Sequence, residues 1–318
     1  MISCSVVIPL YNKASYISRA ISSVLVQTIQ DFEIIVVDDG STDNGAEVVT
    51  RFSDKRIRLI QQRNKGVSGA RNVGIKKSSG QLIAFLDADD EWDPHFLENI
   101  FKLRVQHPNA GLYATAYKIT DTQGKEVIPT FKEIATPPWE GIIKSYFRSA
   151  AMGAPPVTAS SCCIPKHILN EVGGFTEGKR MGEDLDLWGR IAIRYPVAFT
   201  WTVGAVYHHD AENRACTVFG QGDEHPFSTT VKILHLEGKI PASLSDDIDL
   251  YVARLKVENM RQHVIAGNIR RARELHSEVH KSHFWFRRLL WGSRFNALTK
   301  IIWDYKYKRR SQFNDSSS

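Results

Sequence analysis

The sequence predicts an α/β fold: a doubly wound, mostly parallel sheet with a C-terminal helical appendage. Three observations carry this prediction. Over residues 5–86, short apolar runs rich in β-branched residues alternate with segments of helical periodicity. Two of those runs end directly in acidic clusters, Val36-Val37-Asp38-Asp39-Gly40-Ser41-Thr42-Asp43 and Phe85-Leu86-Asp87-Ala88-Asp89-Asp90. Beyond residue 226, apolar residues recur only at helical spacing. Buried parallel strands read as continuous apolar runs. The carboxylates therefore belong at the carboxyl ends of strands, the rim where open α/β sheets bind ligands.

The elements follow in order. Ser5 to Leu10 reads as the first strand, with Tyr11-Asn12-Lys13 as its exit loop. Ser15 is the expected cap of a helix carrying Ile17, Ala20, Ile21, Val24 and Leu25. Phe32 to Val37 is the second strand, and Asp43 to Phe52 the second helix. Ile57 to Ile60, Gly66 to Lys77 and Leu82 to Leu86 complete a βαβαβαβ order, which argues for a doubly wound sheet. Phe96 to Gln106 then reads as a helix. Gly111 to Thr120 and Glu126 to Ile128 read as strands around a turn at Asp121-Thr122-Gln123-Gly124. The prolines between 135 and 165 suggest a loop-rich stretch lining a pocket. Glu183 to Arg194 reads as a helix, and Val197 to Val206 as a strand leading to Tyr207-His208-His209-Asp210. Asp246 to Ala266 and Ile269 to His280, broken at Gly267-Asn268, form a helical hairpin.

The 318 residues are 42% hydrophobic and 24% charged, the profile of a globular protein. No apolar run approaches the ~20 residues that span a bilayer. The chain enters its first strand without a basic leader, so a signal peptide is not expected and a cytoplasmic location is. The four cysteines show no metal-binding spacing and read as free thiols. The net charge of +6 is uneven: residues 281–310 hold nine Lys/Arg and one acid, Asp304, so that the rest of the chain carries −2.

The acidic clusters suit a bound divalent cation, or a ribose and base needing acceptors. Pro9 and Tyr11, at the end of the first strand, suit an apolar and aromatic wall. Asp39, with Asp38 as the close second, can accept from a base imide N–H or a ribose hydroxyl; the same Asp-Asp-Gly-Ser run also suits a turn and helix cap. Arg71 lies early in a glycine-entered helix, where an anionic or carbonyl-bearing ligand is favoured. Extended backbone puts Asp87 and Asp89 on one side, with Ala88 turned away. Their oxygens fit Mg²⁺ or Mn²⁺ better than zinc. Glu183-Asp184 opens a helix, where the dipole also favours acids on structural grounds. His208 and His209 end a strand and read equally as surface or packing residues.

Five blocks in order resemble the family 2 inverting glycosyltransferases of GT-A fold (the nucleotide-diphospho-sugar transferase type). They are Ser5-Val6-Val7-Ile8-Pro9-Leu10-Tyr11-Asn12, the two acidic clusters, Gly69-Ala70-Arg71-Asn72-Val73-Gly74-Ile75 and Gly182-Glu183-Asp184-Leu185-Asp186-Leu187-Trp188. The resemblance covers roughly residues 3–215. It implies a catalytic domain over 1–225 and a helical region with a basic aromatic tail over 226–318. It implies that Asp39 contacts a uridine-like base, that Arg71 lies near that base and that Asn72 braces a loop. Asp87 would lean towards the donor ribose or sugar, and Asp89 would ligate the Mg²⁺ or Mn²⁺ cofactor, with His209 approaching the diphosphate or metal. Asp184 would be the general base, ahead of Asp186 and Glu183.

The implied activity is inverting transfer of one sugar from a nucleoside-diphosphate sugar, a UDP-sugar first, to a glycan or lipid-linked acceptor in cell-envelope polysaccharide synthesis. Processive relatives carry a Gln-x-x-Arg-Trp motif; here Trp188 precedes Gly189-Arg190 and no spanning segment exists. A sugar-phosphate nucleotidyltransferase would need a Gly-rich phosphate loop after strand one, and Pro9-Leu10-Tyr11-Asn12-Lys13 is not one. A degenerate glycan-binding protein would not need Asp39, Asp89 and Asp184. The tail over 281–310 interleaves aromatics with Lys and Arg. It reads equally as an element held peripherally on an anionic membrane surface and as a helix packed on the body. Nucleic acid is not an expected partner. The oligomeric state is not encoded in any motif.

Overall fold

The computed structural model describes residues 2–211 and 224–282. Its first half is a parallel sheet built from β1 (Cys4–Leu10), β2 (Phe32–Asp38), β3 (Ile57–Gln61) and β4 (Leu82–Phe85). The helices between them are α1 (Ile17–Leu25), α2 (Gly45–Thr50) and α3 (Gly66–Lys77). β1 lies between β2 and β4, with β3 outside β2, and all these pairs are parallel. Every residue of β2 and β4 is buried. That is the physical reason β4 and the centre of β2, residues 34–37, are continuously apolar and do not alternate; the acids of β2, Glu33 and Asp38, are buried with hydrogen-bond partners. Helix α3 crosses β1 closely at Gly74, where an added Cβ would lie 2.2 Å from Val7 Cγ1.

Ser15 does not cap the first helix. The chain turns first, and the Lys13 carbonyl accepts both the Tyr16 and Ile17 N–H groups, so Ser15 is left exposed before the helix starts. Asp43 lies outside α2 and serves the loop instead, accepting from the Ala14 and Gly45 N–H groups at 2.8 and 3.0 Å.

The second half adds β5 (Glu91–Trp92), α4 (Phe96–Gln106), β6 (Leu112–Thr120), β7 (Glu126–Val127), β8 (Glu140–Ile142), α5 (Tyr146–Met152), β9 (Cys162–Pro165), α6 (Lys166–Val172), α7 (Glu183–Arg194) and β10 (Val197–His208). The sheet order is β3-β2-β1-β4-β9-β6-β10-β5, with β7 on β6 and β8 on β10. β6 and β10 are parallel, while β9 runs antiparallel to both β4 and β6. The expected loop-rich stretch over 135–165 holds at 153–158, where Pro155, Val157 and Thr158 line a cleft, but β8, α5 and β9 interrupt it. Ser145 caps α5 by accepting the Arg148 N–H, and β9 sits fully buried in the middle of the sheet. Four residues ending in proline are too short a signal for periodicity to reveal, yet two neighbours pair with them.

The helical region follows with α8 (Pro226–Leu236), α9 (Ser245–Ile265) and α10 (Ile269–Ser282). Ile248, Tyr251 and Leu255 of α9 are buried in the same core as the sheet, and Phe227 stacks on Phe147 of α5 at 5.7 Å. Met260 and Val264 form a smaller cluster with Ala272 and Leu275 of α10, which closes the hairpin. Cys4, Cys162 and Cys163 are buried free thiols. Cys216 and all but the first two residues of the basic aromatic tail lie outside the described residues. Among the described residues, no helix is long and apolar enough to cross a membrane.

Candidate active site

The carboxyl ends of β1, β2 and β4 open onto a cleft of about 690 Å³. Pro9 and Tyr11 from the end of β1, Asp39 after β2, Arg71 of α3, Asp87 and Asp89 after β4, and Asp184 of α7 all line it. Six of these residues come from the first 90 positions, and the seventh arrives through the N-terminus of α7. Tyr11 is half exposed, so its ring is available as a wall.

The two carboxylates after β2 have separate tasks. Asp38 is buried in the strand; its oxygens accept from the Ser41 N–H at 3.0 Å and from Gln61 Nε2 at 3.3 Å. It holds the turn and does not line the cleft. Asp39 Oδ1 accepts from Gln62 Nε2 at 2.6 Å and the Lys65 N–H at 2.8 Å. Those bonds fix its carboxylate, and Oδ2 remains for a ligand on the cleft side.

Arg71, the residue expected near a base, lines the cleft, and its guanidinium also forms an internal clamp. It donates to Asp87 Oδ1 at 2.7 Å and to Glu183 Oε1 at 2.9 Å, beneath the Phe175 ring at 5.1 Å. Burial opposes its charge, but Asp87 and Glu183 more than offset this and raise its pKa. The clamp thus joins the end of β4 to the start of α7. Asn72, one residue on, braces the loop before α7 as expected, donating to the Phe175 carbonyl at 2.9 Å and accepting its N–H at 2.8 Å.

Asp87 and Asp89 each spend one oxygen within the protein. Asp87 meets Arg71, and Asp89 Oδ2 takes Lys13 Nζ at 2.8 Å. Asp90 stands behind them, fully buried, accepting from Ser160 Oγ at 2.5 Å and the His208 N–H at 3.2 Å. Burial, with the charges of Asp87 and Asp89, pushes its pKa well up. Ser160 also accepts the Asp87 N–H at 3.1 Å, so Asp90 braces the pair from behind. No cluster of three or more His, Cys, Asp or Glu side chains that could hold a metal ion occurs among the described residues. Hard divalent cations are commonly held by only one or two carboxylates plus substrate phosphates. The remaining oxygens of Asp87 and Asp89, on the same cleft wall, fit that donor set.

Helix α7 starts at Gly182, whose φ of +82° is in the left-handed region and whose added Cβ would lie 2.3 Å from His225 Nε2. This sharp entry turns Asp184 towards the cleft. Its Oδ1 accepts the Leu185 N–H at 2.7 Å. Burial raises the Asp184 pKa, against the lowering effect of Arg71. Burial and the Asp184 charge together push Glu183 up to about 7. Asp186 is excluded from the cleft: its two oxygens accept from Thr176, Arg190 and Thr230, and it is fully buried. Glu183 and Asp184 both line the cleft, but Glu183 is buried and paired with Arg71, whereas Asp184 is half-buried and makes no ion pair among the described residues.

His209, expected beside the metal, is exposed past the end of β10 and does not line the cleft. Its neighbour Tyr207 does, with the two rings 5.3 Å apart. His208 instead pairs with Glu91 at 3.2 Å. Sequence reasoning missed Lys13, Tyr207 and the segment 178–182, which contributes Lys179 and Arg180 to the wall. No local pattern marks Lys13, because its carboxylate partner lies 76 positions away. The paired cations after Gly178 were visible as residues, but nothing in their spacing placed them at the rim.

A mixed sheet with nucleotide-suited carboxylates at the rim of its parallel strands is the GT-A architecture. It matches the Staphylococcus aureus TarS fragment 1–349 in complex with UDP-GlcNAc at a TM-score of 0.64 and 18% identity, over 83% of this chain and 73% of that one. The family model for glycosyl transferase family 2 matches residues 5–164, and the chain belongs to that family. An uncharacterized glycosyltransferase of Nostoc sp. is 50% identical over 102 residues, 31% of this chain and 32% of its own length. The Escherichia coli protein WfgD, a UDP-Glc:alpha-D-GlcNAc-diphosphoundecaprenol beta-1,3-glucosyltransferase, is 41% identical over 129 residues, 39% of this chain and 51% of its own. These matches thus span about a third and about half of the two curated relatives.

Proposed function

We propose that the protein transfers a single sugar, with inversion, from a UDP-sugar to a glycan or lipid-linked glycan acceptor in cell-envelope polysaccharide synthesis. The observation that carries this reading is that Asp39, Asp87, Asp89 and Asp184 line one cleft although they come from three separate stretches of chain. The UDP-GlcNAc bound by TarS and the UDP-Glc donor in the name of WfgD support a uridine nucleotide. The diphosphoundecaprenol acceptor named for WfgD supports a lipid-linked one. Such an acceptor puts the reaction at a membrane surface, to which the basic aromatic run over 281–310 is suited.

Each residue then has a task. Asp39 accepts from the base or ribose, with Pro9 and Tyr11 as the wall. Asp87, held by Arg71, faces the donor ribose or sugar. Mg²⁺ or Mn²⁺ held by Asp89 would offset charge on the departing diphosphate. Asp184 takes the acceptor hydroxyl proton as that oxygen bonds to the anomeric carbon. The bond from this carbon to the diphosphate oxygen breaks, and its electron pair leaves with the nucleoside diphosphate.

A thermal-shift screen of UDP-, GDP- and dTDP-sugars with Mn²⁺ tests the donor, since at equal concentration the tighter ligand stabilises more. UDP-sugars are expected to stabilise most, and stronger stabilisation by another nucleotide would overturn the uridine assignment. Release of UDP from the best donor is expected to require Mn²⁺ or Mg²⁺ and to be lost in Asp89→Ala.

A further inference from the structure

A second cleft, of about 450 Å³, meets the first at Asp184, and the segment 178–182 is common to both linings. Its other walls include Leu185 of α7, His225 ahead of α8, and Leu255, Glu258 and Gln262 of α9. The last three are spaced three and four apart, so one face of α9 is turned to the cleft. Tyr251 of the same helix is buried, and burial together with the charge of Asp184 pushes its hydroxyl pKa up.

The chemistry of this lining differs from that of the donor side. Gln262 is half-buried, and its side-chain amide has no hydrogen-bond partner among the described residues. His225 Nδ1 accepts the Phe227 N–H at 3.3 Å, which leaves the ring proton on Nε2, beside Gly182. Burial pushes the His225 pKa down to about 4, so the ring is a neutral donor at physiological pH. A neutral donor, an amide and a carboxylate set against Leu185 and Leu255 match a pyranose, whose hydroxyl rim needs donors and acceptors and whose C–H face needs an apolar wall.

We infer that this second cleft holds the acceptor through the terminal saccharide of its glycan, and that Leu255, Glu258 and Gln262 of α9, with His225, select that saccharide. The inference rests on the transferase reading above. It extends that reading to a helix outside residues 5–164, so this wall of the cleft is not described by the family match. The saccharide hydroxyl then lies on the acceptor side of Asp184 and the anomeric carbon on the donor side.

The test uses the full chain with Mn²⁺, a radiolabelled UDP-sugar, and a set of p-nitrophenyl glycosides plus an α-N-acetylglucosaminyl diphosphoalkyl acceptor. Transfer to saccharide and hydrolysis to free sugar are counted in the same reaction. Gln262→Trp, which fills the cleft, is expected to lower the transfer-to-hydrolysis ratio about ten-fold or more, and Gln262→Ala to raise the acceptor KM about five-fold. UDP is expected to stabilise both variants as it does the wild type, which shows that they fold and keep the donor side. A wild-type ratio in Gln262→Trp overturns the inference. So does a wild-type protein that hydrolyses the donor yet transfers to none of the saccharides. A wild-type protein that neither binds UDP nor hydrolyses any UDP-sugar instead defeats the transferase reading itself.

Discussion

Arg71 sets the balance of charge in the donor cleft, since its buried guanidinium serves Asp87 and Glu183 at once. Removing one partner of a buried ionic group strands the others. Arg71→Met is therefore expected to cost about 3–5 kcal/mol, read as a lowered midpoint in urea unfolding. A midpoint equal to that of the wild type would mean that the two carboxylates do not need the clamp. Asp184 must be ionised to take a proton, and burial raises its pKa. Activity is thus present above that raised value and lost as pH falls through it, by a factor of ten per unit. The acid limb of the kcat/KM profile should lie above the ~3.9 of an ordinary aspartate, and a limb at that ordinary value would remove Asp184 from the role. At this scale the sequence was readable where chemistry and position coincide. Asp39, Asp87 and Asp89 follow apolar strands directly, and Asp184 opens a helix. The clamp that Arg71 forms was not legible, because its partner Glu183 lies 112 positions away. Lys13 was missed for the same reason.

Among the elements, the entry to α7 is the most constrained. Gly182 combines a left-handed backbone with a close approach by His225. Gly182→Ala is expected to cost about 1–3 kcal/mol and to lower transfer further, because the turn aims Asp184. Circular dichroism melts and transfer rates on one preparation separate the two effects; a rate loss no larger than the folding loss would deny the aiming role. The first four strands were legible because short apolar runs alternate in order with helical stretches, and α4 and α7 because their apolar residues recur at helical spacing. β5 and β9 were not. β9 is four residues ending in Pro165, and its place between β4 and β6 is fixed by pairing with distant strands, not by local preference. The prolines around it pointed to loop, and tertiary pairing overrode them. His209 shows the opposite error: the end of β10 was read well, but the exposed side of that end cannot be told from sequence.

Across the whole molecule, the C-terminal helical appendage packs into the same core as the sheet. Phe227, Ile248, Tyr251 and Leu255 are buried with Phe147 of α5 in the core that also holds the sheet. A chain ended at residue 225 would expose that surface and is expected to lose cooperative unfolding, observed as a broadened or absent calorimetric transition. A sharp transition in the truncated chain would show two independent units. The same integration brings α9 and Asp184 to the lining of one cleft, so Asp184 and both clefts are held by one folded body. In the proposed reaction Asp184 takes the acceptor proton while Asp39, Asp87 and Asp89 hold the donor. Comparing Asp184→Asn with the wild type, by sugar transfer and by UDP titration calorimetry, tests this most directly. Transfer should fall by about 10²–10⁴-fold with UDP affinity retained. Transfer within about ten-fold of wild type, or loss of UDP binding in step with transfer, would contradict it.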